Sequence, residues 1–140
     1  MACDVRGVGE PSGAGGGVGV PYKPGHASPS FAAYARTILR CVRGSGLKLY
    51  VEPGRSLVAE AGVLLTRVLH IKADGRKKFI IVDAAMNDLI RPTLYDAHHD
   101  ILPVDQARGD HQVTADVVGP VCETGDYLAK GRKMAAVQQG

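Results

Sequence analysis

The sequence predicts two structural parts, an α/β unit followed by an all-β region. In the first half, a glycine-rich stretch, a helical pattern and a short strand follow one another, which is the order of a βα-type unit. Beyond them, segments 63–71, 78–82 and 113–121 are rich in β-branched and apolar residues, and turn-like sequences such as 73–75 separate them. We therefore place the boundary between the two parts near residue 58.

A helix is predicted after the glycine-rich stretch. Ser28 and Pro29 form a good helix start, because a serine hydroxyl can cap the first turn and proline fits the first helical position. Gly44 ends the pattern. The apolar residues at helical spacing are Phe31, Tyr34, Ile38 and Cys41 or Val42.

Gly15, Gly16 and Gly17 form a run that can present bare backbone N–H groups to a phosphate. The same composition is typical of a flexible linker. The run is not a Walker loop, because no Gly-Lys-Ser/Thr follows, and it is not a dinucleotide fingerprint, because no strand clearly precedes it. Residues 1–14 lack periodicity, so we expect them to be disordered or non-native.

The predicted strand at 47–50 leads into a Glu-Pro-Gly-Arg turn, and strand ends often carry functional groups. Proline fixes the exit of the chain, and Gly54 allows the backbone to approach a ligand closely. Arg55 supplies a fork of donors suited to phosphate or carboxylate. Taken alone, this sequence is also typical of a surface turn.

Cys122 and Glu123 place a thiol beside a carboxylate, between Gly119 and Gly125. The thiol offers one proton, and the neighbouring carboxylate can bind a substrate cation or bias the thiol. An isolated pair of this kind is more often a small buried cysteine in a turn. The motifs upstream favour a functional site.

The composition is that of a soluble globular chain, with 45% hydrophobic and 22% charged residues and a formal net charge of only +3. The small, dispersed excess of positive charge predicts no nucleic-acid partner, and the local cluster 76–78 fits a solvated hairpin turn. The longest apolar stretch, 62–71, is too short to cross a bilayer, and no signal peptide is recognisable, so we expect no membrane partner.

Cys3, Cys41 and Cys122 cannot all pair, which argues against a secreted disulfide framework and favours a reducing cytoplasm. His98, His99 and His111 precede Cys122, but no spacing typical of a zinc site occurs, so we expect no metal. A cysteine-protease pairing with one of these histidines has no support from order or spacing.

Four motifs occur in the order GGGVGVPY, VEPGR, VDAAMNDLIRPTLYD and GPVCETGD. This series resembles the pyridoxal-phosphate-dependent diaminopimelate decarboxylases of the alanine-racemase-like fold, from about Gly15 to Lys130. Ornithine and arginine decarboxylases share the triple glycine and the EPGR turn. The ND-LIRP-LY segment and the CE-GD form of the cysteine motif favour the diaminopimelate branch.

The resemblance implies a fragment of a pyridoxal-phosphate-binding (β/α)8 barrel followed by part of a β-barrel or sandwich domain. Residues 15–57 would form the end of the barrel, and residues 58–140 would begin the C-terminal β-domain. The lysine that forms a Schiff base with the cofactor would lie upstream, and no lysine of this chain matches its motif. We therefore expect the chain alone to be inactive.

The resemblance also implies the role of each candidate residue. Pyridoxal 5'-phosphate would be bound by Gly15, Gly16, Gly17, Glu52, Gly54 and Arg55. The amino-acid substrate would be bound by Arg55, Arg91, Tyr95 and Glu123. Glu52 would face the pyridine nitrogen, Arg91 the distal carboxylate and Glu123 the distal ammonium. Cys122 would be the catalytic proton donor.

The implied reaction is the decarboxylation of meso-2,6-diaminopimelate to L-lysine and CO2, the last step of lysine biosynthesis. The resemblance further implies a homodimer in which the cysteine segment reaches the active site of the second subunit. Two alternatives remain open at this level. The enzyme could be a related barrel decarboxylase acting on ornithine, arginine or lysine, or the chain could be a non-catalytic truncated product.

Overall fold

The computed structural model describes residues 12–14, 18–23, 25–27, 30–105 and 111–140. The chain divides into two units, Met1–Val63 and Leu64–Gly140. The first unit is α/β and the second is a β-sheet with one short helix, which agrees with the predicted fold class. The division falls slightly after the predicted boundary near residue 58.

The first unit begins with a strand that the sequence did not indicate. Strand β1 (Ser12–Ala14) immediately precedes the triple glycine and pairs in parallel with β2 (Leu49–Val51). Small residues have little strand propensity of their own, so the pairing with β2 stabilises β1. Ser12–Ala14 thus form a strand within the segment 1–14 that we expected to be disordered or non-native, and residues 1–11 lie outside the described residues.

Helix α1 (Phe31–Val42) forms where the apolar spacing predicts it. Its N-cap is Ser30, whose hydroxyl accepts a hydrogen bond from the Ala33 N–H at 3.4 Å. The predicted cap at Ser28 is therefore displaced to Ser30, and Ser28 itself lies outside the described residues. Gly44 has φ of 79°, the left-handed conformation that commonly ends a helix.

Cys41, on the same helix, is disulfide-bonded. Cys122 is a free cysteine and is exposed.

The second unit is a four-stranded sheet whose strands are adjacent in chain order. The strands are β3 (Val68–Asp74), β4 (Lys77–Val82), β5 (Gln112–Val118) and β6 (Tyr127–Ala135). The outer pairs, β3 with β4 and β5 with β6, are antiparallel, whereas β4 and β5 are parallel. A two-residue loop that begins at Gly75, with φ of 56°, joins β3 to β4 as the sequence predicts.

Strand β6 was missed by sequence reasoning, because Lys130, Gly131 and Arg132 interrupt its apolar pattern. Gly131 has φ of 54° near a register shift between β5 and β6, and its N–H donates to the Asp116 carboxylate at 2.6 Å. A bulge of this kind changes which residues face the core, so simple alternation fails along β6.

Side chains from β4, β5 and β6, together with Ala84 just after β4, form the core of the sheet; burial alternates along β4 and β5, whereas the consecutive Leu128 and Ala129 of β6 are both buried. Its buried members are Ile80, Val82, Ala84, Ala115, Val117, Leu128, Ala129 and Met134. Residues 63–67, which are exposed except for the half-buried Thr66, precede β3 instead of extending it, and Val63 is 96% exposed. The predicted strand over 63–71 therefore starts only at Val68.

The parallel pairing of β4 and β5 determines where the loops of this unit meet. Ile81 is in register with Val118, so the carboxyl ends of both strands lie at the same edge of the sheet. The loop after β4 (residues 83–90) and the connection from β5 to β6 (residues 119–126, here the cysteine turn) both leave from that edge. This arrangement places functional segments side by side, as at the strand ends of other α/β sheets.

Asp83, at the end of β4, joins this strand to the segment before β3. One carboxylate oxygen accepts hydrogen bonds from the Thr66 hydroxyl at 2.6 Å and from the Arg67 N–H at 2.8 Å. These bonds favour the charged carboxylate, and the Thr66 hydroxyl makes the largest contribution to lowering the pKa of Asp83 below its ordinary value of 3.8.

A group whose pKa is lowered by folding stabilises the fold above its unfolded pKa and loses that contribution as the pH falls through the lower folded pKa. We therefore expect Asp83→Asn to lower the melting temperature at pH 7, and the two melting temperatures to converge as the pH falls below 3.8. Thermal melts across this pH range measure the effect. Thr114→Val, at an exposed threonine of β5, controls for unrelated losses, and a constant difference at every pH would contradict the assignment.

Candidate functional site at the edge of the second sheet

Helix α3 (Arg91–Tyr95) lies in the connection between β4 and β5. Pro92 sits near its start and is buried, and Asp96 ends it in the left-handed conformation with φ of 50°. Arg91 and Tyr95 are one helical turn apart, so their side chains share a face. The guanidinium carbon of Arg91 lies 5.6 Å from the centroid of the Tyr95 ring, a cation–π contact that orients the fork of donors.

The cysteine turn is held in shape by short-range backbone hydrogen bonds. The Glu123 N–H donates to the Val121 carbonyl at 2.8 Å, and the Asp126 N–H donates to the Glu123 carbonyl at 3.0 Å. The Glu123 carboxylate also accepts a hydrogen bond from the Gly125 N–H at 3.3 Å. Cys122 and Glu123 are both exposed, so the thiol and the carboxylate are open to a ligand.

Asp126 is a buried polar residue, 4% exposed, at the base of this turn. One carboxylate oxygen accepts the Met86 N–H at 2.7 Å, and the other accepts the Val121 N–H at 2.7 Å. A buried carboxylate must be hydrogen-bonded to remain stable, and these two bonds satisfy both oxygens. Asp126 therefore joins the cysteine turn to the loop after β4.

Thr93 makes a second connection to the cysteine turn. Its hydroxyl lies 2.5 Å from the Gly125 carbonyl oxygen and 3.4 Å from the Tyr127 carbonyl oxygen. Thr93 is on α3, between Arg91 and Tyr95. The structure thus connects the helix that carries Arg91 directly to the turn that carries Cys122.

A histidine cluster follows α3. The Arg132 guanidinium donates to the His99 carbonyl at 2.8 Å, and the His98 ring nitrogen lies 2.9 Å from the Asp100 carboxylate. Burial lowers the pKa of His99, and the positive charge of Arg91 lowers it further, followed by His98 and Arg132. Both causes favour the neutral form of the His99 ring.

The EPGR turn belongs to the first unit. Glu52, Gly54 and Arg55 are all exposed, and α2 (Gly54–Val58) begins at the glycine. The Arg55 guanidinium donates a hydrogen bond to the Tyr22 hydroxyl at 2.8 Å, and it lies 6.0 Å from the Tyr22 ring centroid. A side chain added at Gly54 would meet nothing within 4 Å, so a ligand can approach the backbone there.

One known protein family matches nearly the whole chain. The family described as "Pyridoxal-dependent decarboxylase, C-terminal sheet domain" matches residues 3–140. The chain belongs to this decarboxylase family. The resemblance seen in the motif order is thereby confirmed.

Individual members of the family are similar in sequence to most of this chain. Diaminopimelate decarboxylase of Zymomonas mobilis is 52% identical over 125 residues, covering 89% of this chain and 29% of the relative. The Aquifex aeolicus enzyme of the same name is 47% identical over 126 residues, covering 90% of this chain and 30% of the relative. This chain therefore spans about three tenths of the length of the decarboxylases it matches.

A solved structure supports the fold. The crystal structure of diaminopimelate decarboxylase from Helicobacter pylori, complexed with L-lysine, has a TM-score of 0.77 and 41% sequence identity. The match covers 91% of this chain and 30% of that one.

The residues of the first unit fit the pyridoxal cofactor of this decarboxylase family by their chemistry. The Glu52 carboxylate can accept a hydrogen bond from a protonated pyridine nitrogen, and the Arg55 guanidinium can bind a phosphate. Both lie on one exposed turn beside the open backbone of Gly54. Gly15, Gly16 and Gly17 lie outside the described residues.

The described part of the chain contains neither a metal-binding cluster nor a membrane-spanning helix. Among the described residues, no group of three or more His, Cys, Asp or Glu side chains is arranged to hold a metal ion. No helix in the described ranges has both the length and the apolar character needed to cross a membrane.

One residue of each unit escaped sequence reasoning. Tyr22 lies inside the GGGVGVPY motif and Thr93 inside the IRPTLY motif, but neither side chain suggests a role from its type alone. Their importance depends on hydrogen bonds to residues more than thirty positions away. The only available signal was their position inside motifs that the family shares.

Gly119 provides a test of the packing below the cysteine turn. An added Cβ would lie 2.6 Å from an Asp126 carboxylate oxygen and 2.7 Å from the Ala85 Cα. We expect Gly119→Ala to destabilise the chain by about 1–3 kcal/mol, because the carboxylate or the backbone must move. Chemical denaturation measures the change.

Gly62→Ala is the matched control for Gly119→Ala, since an added Cβ meets nothing within 4 Å there. Equal stability of the two variants would show that the close packing of Gly119 against Asp126 is wrong.

Proposed function

We propose that this chain forms part of a diaminopimelate decarboxylase, which converts meso-2,6-diaminopimelate to L-lysine and CO2 in lysine biosynthesis. The observation that carries the proposal is the hydrogen bond from Thr93 to Gly125, which joins the Arg91 helix to the Cys122-Glu123 turn. Both segments belong to the motifs that distinguish the diaminopimelate branch. The relatives of that name support the same activity at 47–52% identity.

The first unit would hold part of the cofactor site, at the end of a (β/α)8 barrel that residues 15–57 help to close. Pyridoxal phosphate, when bound, accepts the electron pair released as CO2 leaves. Glu52 would hydrogen-bond the pyridine nitrogen and keep it protonated. Gly54, Arg55 and the triple glycine would bind the phosphate. None of the lysines of this chain is assigned as the residue that forms the Schiff base with the cofactor.

The second unit would recognise the far end of the substrate. Diaminopimelate carries a carboxylate and an ammonium group on its distal carbon. The fork of Arg91 can bind the distal carboxylate through two parallel hydrogen bonds, and Tyr95 stacks against that guanidinium. The exposed carboxylate of Glu123 would bind the distal ammonium. From the first unit, Arg55 would also contact the substrate.

Cys122 would return a proton from Sγ to the α carbon of the substrate after CO2 departs. The thiol is free and exposed, as a group that must reach a substrate needs to be. A general acid must lie within hydrogen-bond reach of the atom it protonates. The turn around Cys122 supplies a defined position for it.

We also propose that the working enzyme is a homodimer in which the cysteine turn completes the site of the second subunit. Apolar side chains near the turn and on α3 support an interface, since Val121, Leu94 and Tyr95 are 44%, 59% and 66% exposed. A cytoplasmic location would keep the Cys122 thiol reduced.

Activity tests use a hybrid enzyme in which this chain replaces the matching segment of the Zymomonas mobilis decarboxylase. We expect the hybrid to release CO2 from meso-diaminopimelate. We expect Cys122→Ala to lower kcat by about 10²- to 10⁴-fold, the usual contribution of a general acid. Thr124→Ala, at an exposed neighbour, is the control. Near-normal turnover by Cys122→Ala would remove the proton-donor role.

Arg91 is tested through substrate choice. Arg91→Ala should lower kcat/KM for diaminopimelate by roughly 10- to 100-fold, because a charge-assisted hydrogen bond contributes about 1.5–3 kcal/mol. Turnover of lysine or ornithine, which lack the distal carboxylate, should change little. Arg91→Lys keeps the charge without the fork and should recover only part of the loss. An equal loss for every substrate would remove Arg91 from specificity, and a wild-type preference for ornithine or lysine would point to the related decarboxylases.

A further inference from the structure

Two side chains that carry no assigned chemistry connect the cysteine turn to its surroundings. The Asp126 carboxylate accepts N–H groups from both sides, from Val121 within the turn and from Met86 in the loop after β4. The Thr93 hydroxyl reaches the neighbouring residue of the turn, at the Gly125 carbonyl. The C-terminal end of the turn is therefore attached at two adjacent residues to the segment between β4 and β5, and Val121 is joined to that end through Asp126.

We infer that Thr93 and Asp126 are positioning residues that hold the Cys122-Glu123 turn at a set place relative to α3. This inference rests on the proposed function for its consequence, since Arg91 and Glu123 would bind the two groups of one distal carbon. Two groups on one carbon can be bound together only if their protein partners keep a defined spacing. Thr93 is well placed to set that spacing, because it lies on α3 itself.

The close packing around the turn supports a role in placement. A Cβ added at Gly125 would lie 3.1 Å from the Thr93 methyl carbon, and one added at Gly119 would collide with Asp126. Gly119 therefore has no space for a side chain beside Asp126, and a side chain at Gly125 would require the Thr93 methyl group to move by a few tenths of an ångström.

The attachment is tested first on the 140-residue chain, without any assay of activity. Thr93→Val keeps the shape of the side chain and removes the hydroxyl, and Asp126→Asn replaces one acceptor oxygen by a donor. We expect amide hydrogen exchange in residues 121–127 to rise roughly 2- to 10-fold in each variant, the factor for one lost hydrogen bond. Exchange at Ile80 and Val117, in the core of the sheet, should stay as in the wild type.

Matched controls separate this effect from general loss of a hydroxyl or a carboxylate. Thr93→Ser restores the donor and should restore wild-type exchange. Thr37→Val removes a hydroxyl that donates to Ala33, and Asp116→Asn alters a carboxylate that accepts from Gly131, both away from the turn. Unchanged exchange at 121–127 in Thr93→Val and Asp126→Asn would overturn the inference.

The consequence for specificity is tested in the hybrid enzyme. Thr93→Val should lower kcat/KM for diaminopimelate several-fold more than for lysine, and Thr93→Ser should recover the ratio. A variant that is merely less stable would lose both activities equally, which would overturn the positioning role. An inactive wild-type hybrid would instead contradict the proposed function, and the exchange measurement would still decide whether Thr93 and Asp126 hold the turn.

Discussion

The parallel pairing of β4 with β5 is the constraint on which the candidate site depends. Parallel neighbours end at the same edge of a sheet, so the loop after β4 and the cysteine turn after β5 leave the sheet side by side. In an antiparallel pair the two loops would leave from opposite edges. The long connection that a parallel pair requires contains α3, and this connection brings Arg91 to the same edge as Cys122.

The carboxylates of Asp126 and Asp83 hold backbone segments in position and have no proposed part in the chemistry. Asp126 is almost fully buried, and its two oxygens are both satisfied by backbone N–H groups. Asp83 plays a similar part at the end of β4, where bonds from Thr66 and Arg67 favour its charged form. Burial of the Asp126 carboxylate costs desolvation energy, and each hydrogen bond offsets part of that cost, whereas Asp83 is exposed. The groups proposed for chemistry, Cys122 and Glu123, remain exposed instead.

Sequence reasoning succeeded where local chemistry decides structure. The helical spacing from Phe31 onward, the Asp-Gly hairpin before β4 and the glycine at 44 all form as expected, because each depends on neighbouring residues alone. It failed at β1, at the cap of α1 and at β6. The short β1 is stabilised by a partner distant in sequence, and β6 contains a bulge that breaks the alternation on which strand prediction relies.

The sequence by itself determined which family the chain resembles and which residue types could carry its chemistry, because motifs and their order are properties of the sequence. It could not reveal that Thr93 holds Gly125 or that Asp126 holds Met86, since these partners are more than thirty residues apart. Only the tertiary structure decided those contacts. The physical reason is that sheet topology, and not sequence distance, determines which backbone groups lie within hydrogen-bond reach.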